Sequence, residues 1–316
     1  MKEKIKSFFA VCVLVLTVPY IITILFQGDK TSMGDGGGSD TQEESSQGIN
    51  LGLSQSDFSA ILQGTETEEA GTDIESYLVG ILAKEIPLDY QYETIKAQAV
   101  IARTSLTAAL ESGEDGLPES MSREEMMELW GQNGFEENYR IVAMAVNDTQ
   151  GEILTYEGKP IKAAFHAVSA GKTRSAEEPY LSSVESEMDI PSPDFLNVSF
   201  IEKSDFVNEL KSSCPDVEVT EENVMEIVTV EERDDAQYAL QVKIGEKTVT
   251  GEEFRGFLNL NSACFYIKEV EGKVRIVTKG LGHGLGFSQY GANELAKEGK
   301  DYKEILSYYY KNVEIS

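Results

Sequence analysis

Basic residues are scarce in this chain of 316 residues: 27 lysines and arginines stand against 55 aspartates and glutamates, for a formal net charge of −28. That balance argues against nucleic acid or anionic lipid headgroups as the main partner, since both repel a polyanion. Histidine is almost absent, with His166 and His283 alone in the whole chain. Cysteine is limited to Cys12, Cys214 and Cys264. Cys214 and Cys264 could pair in an oxidising compartment, but their positions give no sign of proximity. Two common enzyme signatures are missing as well. Gly171-Lys172-Thr173 imitates the end of a phosphate-binding loop, yet His166 stands where that loop needs a glycine. Ser169 does not lie in Gly-x-Ser-x-Gly, which removes the main serine-hydrolase reading.

Long apolar runs are also rare, so the one at the start of the chain stands out. Phe8 to Phe26 is a run of 19 uncharged residues, about 28 Å long as a helix and close to the thickness of bilayer hydrocarbon. Lys2, Lys4 and Lys6 precede it. The positive-inside rule therefore predicts a cytoplasmic tail over 1–7, a single-pass transmembrane helix over 8–26, and the remainder outside the cell. A cleaved signal peptide is the alternative, though no Ala-x-Ala-like site follows the run. Residues 27–49, rich in Gly, Ser and acidic side chains, read as a flexible linker. Residues 50–71 add Leu51, Leu53, Phe58, Ile61 and Leu62 as a lead-in segment, and a folded domain runs from about 70 to 316.

The domain opens with two helices separated by a short break. Thr72 and Glu75 have capping-box spacing, and Tyr77, Ile81 and Leu82 form an apolar stripe. Pro87 forces that helix to stop near Ile86, which places Glu85 in the last turn. The negative end of a helix disfavours a carboxylate, so Glu85 is expected to hold its proton, the more so if partly buried. A proton held near neutral pH suits a general acid. A solvated helix-end residue is the competing reading. In the next helix Ile95, Ala99, Ala102, Leu106 and Leu110 follow helical spacing as a narrow core-facing stripe. Lys96 and Arg103 are seven apart and project from one side, about 20° from eclipsed, with Gln98 on another flank. They are either solubilising residues or ligand contacts.

Ser122 to Trp130 is expected to form a short helix behind a Ser122/Glu125 capping box, and Tyr139 to Val146 another. The period then changes to that of strands, with a strand and turn over 151–158 and a second strand over 161–168 that carries His166. Short alternating runs from Phe195 to Val277 read as a small antiparallel β module, with a helix over 252–260. Glycines 280, 282, 284 and 286 predict a loop whose backbone a ligand can approach closely. No acidic residue in a βαβ context follows it, so a dinucleotide loop is a weak reading. Gly282 to Tyr290 is read as one wall of a groove, with Gln289 as a donor and Tyr290 as a stacking surface. Helices over 292–298 and from Asp301 onward close the core. The fold class is α+β: a single-pass anchor and linker, then a mixed helix and strand domain with a small antiparallel module.

Three ordered blocks carry a family resemblance. They are Leu78 to Arg103 with Glu85, Pro87 and Lys96-Ala97-Gln98-Ala99-Val100; Phe165-His166 through Ser169, Gly171, Lys172 and Thr173; and Gly282-His283-Gly284 through Ser288-Gln289-Tyr290-Gly291-Ala292. Together they resemble the stage II sporulation protein D family over about residues 70–316. The resemblance implies lytic cleavage of peptidoglycan glycan strands with Glu85 as the catalytic acid. It makes the groove walled by Gly282 to Tyr290 sugar-binding, and Lys96, Arg103, His166, Ser169, His283, Gln289 and Tyr290 candidates for binding substrate. His166, flanked by Phe165 and Ala167, would on its own read as a core residue. Some relatives hold zinc through cysteines after this histidine; Ala167 to Tyr180 contains none, so no metal or other cofactor is expected. The resemblance further implies spore engulfment as the setting and the amidase stage II sporulation protein P as a partner. A membrane-anchored wall-binding scaffold without catalysis is the alternative from another class, and a surface adhesin a third.

Overall fold

A computed structural model describes residues 74–112 and 117–316. The expected membrane span, linker, lead-in segment and Thr72 cap lie outside the described residues. Among those described, no helix is long and apolar enough to cross a membrane.

Helix α1 spans Ile74–Glu85 and α2 spans Tyr92–Ser112. The break between them is where Pro87 requires it. Leu78, Ile81 and Leu82 of α1 are fully buried against Ile95, Ala99, Ala102 and Leu106 of α2 and Val142 of α3, Arg123–Asp148. Ser122 and Glu125 form the expected capping box on α3, and Gly131 breaks that helix with φ 68°, ψ 162°, so one long element is two helices across a kink.

The narrow stripe expected on α2 underestimates its burial. Ala97, Val100 and Ile101 form a second buried face, packed with Leu154, Ile305 and Tyr309, while Leu110 is exposed. The run of alanines makes this physically workable, because small side chains let neighbouring elements approach a helix from both sides. Helix α2 is thus the central post of the domain, not an amphipathic surface helix.

The second half combines small sheets with short helices. β1 (Leu154–Tyr156) pairs with β2 (Lys159–Pro160) and with β11 (Glu314–Ile315). β3 (Phe165–His166) pairs in parallel with β10 (Phe287–Ser288), so the strand expected over 161–168 is only its last few residues. The expected β module is present as two three-stranded antiparallel sheets. One has the order β4 (Leu196–Glu202), β9 (Lys273–Lys279), β8 (Phe265–Val270); the other β5 (Val228–Arg233), β6 (Ala239–Ile244), β7 (Lys247–Thr250). Helices α4 (Lys203–Ser213), α5 (Val224–Ile227) and α6 (Gly251–Phe257) complete it around a core of its own, including Phe206, Leu210, Val242, Phe254 and Ile276. Cys214 and Cys264 are buried and unpaired. Helix α7 (Gln289–Lys297) begins three residues earlier than expected because Ser288 caps it, accepting from the Gly291 N–H. Helix α8 (Tyr302–Tyr309) starts at the expected Asp301/Glu304 box.

The glycine-rich loop between β9 and β10 packs against the protein itself, which corrects the expectation of a backbone left open to a ligand. A Cβ at Gly286 would lie 2.1 Å from the Ala164 carbonyl oxygen, and one at Gly282 would lie 2.7 Å from the His166 Cβ. Gly286→Ala should therefore strain the β3–β10 crossing twice, by steric overlap and by its φ of 66°. A loss of about 3 kcal/mol is expected in urea unfolding, the upper end for a residue forced into a disfavoured backbone region. An unchanged midpoint would show that the crossing yields.

Candidate active site

Helix α1 ends on Glu85, and three side chains define its surroundings. The Gln98 side-chain amide of α2 donates from Nε2 to Glu85 Oε2 at 2.9 Å. Gln289, the first residue of α7, donates from Nε2 to the Glu85 backbone carbonyl at 2.8 Å and to Gln98 Oε1 at 3.3 Å. The carbonyl left without a partner at a proline-stopped helix end is thus satisfied by a side chain from the far end of the sequence. Glu85 itself is half-buried, and its pKa is raised from 4.5 to about 7. Burial is the main cause; the bond from Gln98 and the nearby Lys84 ammonium both oppose it. The helix-end argument gave the right direction, but desolvation does most of the work. Gln98 donates to Oε2, which leaves Oε1 the better placed oxygen to carry the proton of the acid form.

Tyr90 lies in the break after α1, half-buried, with its hydroxyl pushed up to about 12 by burial, by Asp89 and by the neighbouring Tyr290. Tyr290 is half-buried and its backbone N–H donates to the Ala167 carbonyl at 3.0 Å. The structure therefore gathers Glu85, Gln289 and Gln98 directly, with Tyr290 next to Gln289 in sequence.

The remaining candidates fall elsewhere. Arg103 is buried and all five of its guanidinium N–H groups have partners: Glu75 takes two at 3.0 and 2.6 Å, and Thr149 Oγ1, the Glu152 carbonyl and the Val146 carbonyl take the rest. No donor is left for a sugar. Its expected role as a ligand contact is corrected to that of a pin joining α1, α2 and the end of α3. Lys96 pairs with Glu93 at 2.5 Å and lies over the Tyr302 and Tyr92 rings at 4.7 and 5.4 Å. It clasps α8 to α2. Ser169 is also buried, giving both its N–H and its hydroxyl to Asp189 Oδ2, at 3.1 and 2.5 Å. That geometry makes Ser169 part of the frame and leaves nothing for a sugar.

The histidines form a pair with ring centroids 5.8 Å apart. His166 donates from Nδ1 to the Leu285 carbonyl at 3.0 Å, and its Nε2 is buried with no partner among the described residues. Burial, with His283 adding to it, depresses its pKa to about 3, so the ring is neutral at any working pH. His283 accepts the Leu285 N–H on Nδ1 at 3.0 Å, which places its proton on Nε2. Its pKa is lowered as well, by burial first, with Glu252 opposing. Its ring opens onto a groove of about 780 Å³ bordered by Phe165, Lys162, Tyr180 and Ser105. Glu85 is not among the residues that line that groove. Among the described residues no three His, Cys, Asp or Glu side chains come together to hold a metal.

Two groups that organise the site carried little sequence signal. Gln98 was assigned to a different flank; its clue was a polar residue in the middle of an alanine-rich helix. Asp189 sits in an acidic stretch with nothing to distinguish it. Fully buried, it binds Ser169, Ser186 at 2.9 Å and Ser288 at 2.8 Å. Burial raises its pKa against the pull of these bonds, those from Ser169 and Ser288 foremost.

The domain is a mixed α+β fold in which burial raises the Glu85 carboxyl to about 7. The Stage II sporulation protein family model matches residues 63–156, which include Glu85 and Gln98. Stage II sporulation protein D of Bacillus amyloliquefaciens is 32% identical over all of this chain and 96% of its own length; that of Bacillus subtilis is 33% identical over the same shares. A more distant relative, the amidase enhancer of Bacillus subtilis, is 25% identical over 74% of this chain and 39% of its own length. The chain belongs to the stage II sporulation protein D family.

The unfolded chain releases the Glu85 proton near 4.5 and the folded chain near 7, so between those values the folded state binds more protons and stability falls as pH rises. Glu85→Gln removes that cost. Its unfolding free energy should exceed the parent's by at most about 3 kcal/mol at pH 8 and match it at pH 4. Equal stability at both pH values would mean an ordinary carboxylate. Asp189→Ala should lose about 3 kcal/mol in the same assay, because it strands hydroxyl donors in the interior.

Proposed function

We propose that this protein is a membrane-anchored peptidoglycan lytic transglycosylase acting in spore engulfment. The observation that carries the reading is the lone Glu85 carboxyl, half-buried, raised to about 7, and with no second carboxylate among the groups that shift it. Ordinary glycoside hydrolases use two carboxyl groups, one to protonate the leaving oxygen and one to activate water or attack the sugar. A lytic enzyme needs one. Glu85 Oε1 gives its proton to the oxygen linking N-acetylmuramic acid to N-acetylglucosamine as that bond breaks. The resulting carboxylate then takes the proton of the muramic C6 hydroxyl, whose oxygen closes on C1 to leave a 1,6-anhydro end. The proton is returned and no water is consumed.

Gln98 holds the carboxyl in place, and Gln289 fixes both Gln98 and the end of α1. Tyr290, half-buried and next to Gln289, offers a ring surface for a sugar face. The sporulation setting rests on the two full-length relatives, and an amidase partner such as stage II sporulation protein P is in keeping with the third relative, an amidase enhancer. The apolar run 8–26 supplies the proposed anchor, with the folded domain on the outer side.

Incubation of the full chain with purified glycan strands, with and without stem peptides, followed by mass spectrometry, should show products ending in 1,6-anhydro-muramic acid. Glu85→Gln should lower the rate by at least a thousandfold while strand binding persists. Reducing ends would indicate a hydrolase, and retained binding with no cleavage by the parent chain would favour a wall-binding scaffold. Since the acid form is the active one, kcat should fall about tenfold per pH unit above pH 7, and Gln98→Ala, which removes a bond favouring the charged form, should move that limb to higher pH.

A further inference from the structure

The outer face of the β4–β9–β8 sheet differs in chemistry from the rest of this acidic chain. Leu196, Val198 and Phe200 alternate along β4 and are 53%, 42% and 57% exposed. Val198 is paired with Val277 of β9, which is paired with Tyr266 of β8, itself 40% exposed, so an apolar row crosses the sheet. Cations flank that row on the same face: Leu196 is opposite Lys279, and Phe200 is opposite Arg275, which is opposite Lys268. The two carboxylates on these strands, Glu202 and Glu269, are engaged by Lys273 and Lys203, leaving Lys268, Arg275 and Lys279 unneutralised by the sheet's own acids. In a chain of net charge −28 this is a concentrated positive and apolar strip.

Its position adds a second property. β4 is the edge of the sheet, bonded along seven residues to β9 and to no other strand among the described residues. Asn197 and Ser199, on its opposite face, are exposed too. A long, flat edge exposed on both faces is what proteins ordinarily blunt, and an edge left open is a template for strand addition.

We propose that β4 is a docking edge for an extended segment of a partner polypeptide that carries acidic and apolar side chains together on one face, taking turns at every second residue. Such a segment would continue the sheet through its backbone, lay its apolar side chains against Leu196, Val198 and Phe200, and reach Arg275 and Lys279 with its carboxylates. A second copy of this chain paired symmetrically would bring the same cations face to face. A bilayer of anionic lipid would meet a whole side of the domain and its net negative charge, whereas a single strand meets only the strip.

The test uses the full-length chain in nonionic detergent and a fluorescent ten-residue peptide in which glutamate and valine take turns at every second position with threonine between them, so that both lie on one face; the same peptide with lysine for glutamate is the control. Because the chain as a whole repels polyanions, tighter binding of the acidic peptide is diagnostic. At least tenfold tighter binding than the control is expected. It should weaken tenfold or more in Phe200→Asp and in the triple variant Lys268→Glu, Arg275→Glu, Lys279→Glu, with both variants melting within a few degrees of the parent. Amide exchange over residues 196–202 should slow when the acidic peptide is present. Equal or absent binding of the two peptides overturns the proposal. So does protection of 196–202 that appears with phosphatidylglycerol in the micelles alone, which would assign the face to lipid, or that rises with protein concentration alone, which would assign it to a second copy. None of these readouts involves glycan cleavage.

Discussion

The carboxylate of Asp189 is the point on which the site region depends. It lies in the short 3-10 turn Glu187–Asp189 and is fully enclosed, so its charge is tolerable only while donors surround it. Those donors come from three separate stretches: Ser169 after β3, Ser186 before the turn, and Ser288 at the start of α7. Ser288 is also the cap of α7, and the next residue is Gln289, which holds both Gln98 and the end of α1. One buried charge therefore fixes the start of the helix that orients the acid, without approaching the acid itself. Tyr309 encloses it from α8, where its hydroxyl meets Ser186 at 3.3 Å.

Under the proposed function, Glu85 sets stability against activity. Burial that raises Glu85 to about 7 also makes its ionised form unfavourable at neutral pH. The frame around it has to absorb that cost. Arg103, with every donor engaged, and Lys96, held between Glu93 and two tyrosine rings, do so by tying α2 to α1, α3 and α8. Both are charged residues in the service of packing: the Arg103 donors are all engaged within the protein, and Lys96 is paired with Glu93. The neutral histidine pair is similar in kind: desolvation removes the charge, and the hydrogen bonds to Leu285 set the tautomers.

Features set by local physics were legible in the sequence. The stop at Pro87, the capping boxes at Ser122 and Asp301, the helix end at Gly299 and the alternation of the β module all follow from a few neighbouring residues, and each is present. Glu85 was legible for the same reason. Features set by tertiary contact were not. The double burial of α2 depends on what packs on its second face, and seven-residue spacing could place Arg103 on a side of the helix but could not say that Glu75 and three other oxygens from α3 and its sequel await it. Gly282 and Gly286 signalled close approach without saying of what, and the answer is β3.

The β module has a further consequence for how such a protein can change. Its chain enters at β4 and leaves at β9, and these two ends meet: the Gly280 N–H donates to the Phe195 carbonyl at 2.8 Å. Much of what lies between them is built on its own core, and it meets the neighbouring loops through Arg174, which binds Asp234, Glu252 and the His283 carbonyl, through Tyr238, whose hydroxyl accepts the Ala170 N–H, and through the Asn261 carbonyl, which accepts the Gly282 N–H. In topology it is an insertion with adjacent ends, of the sort that can be lengthened, trimmed or exchanged without moving the scaffold that receives it. The chemistry and the surface that meets other molecules are thus separable by descent, free to diverge at different rates across a single seam.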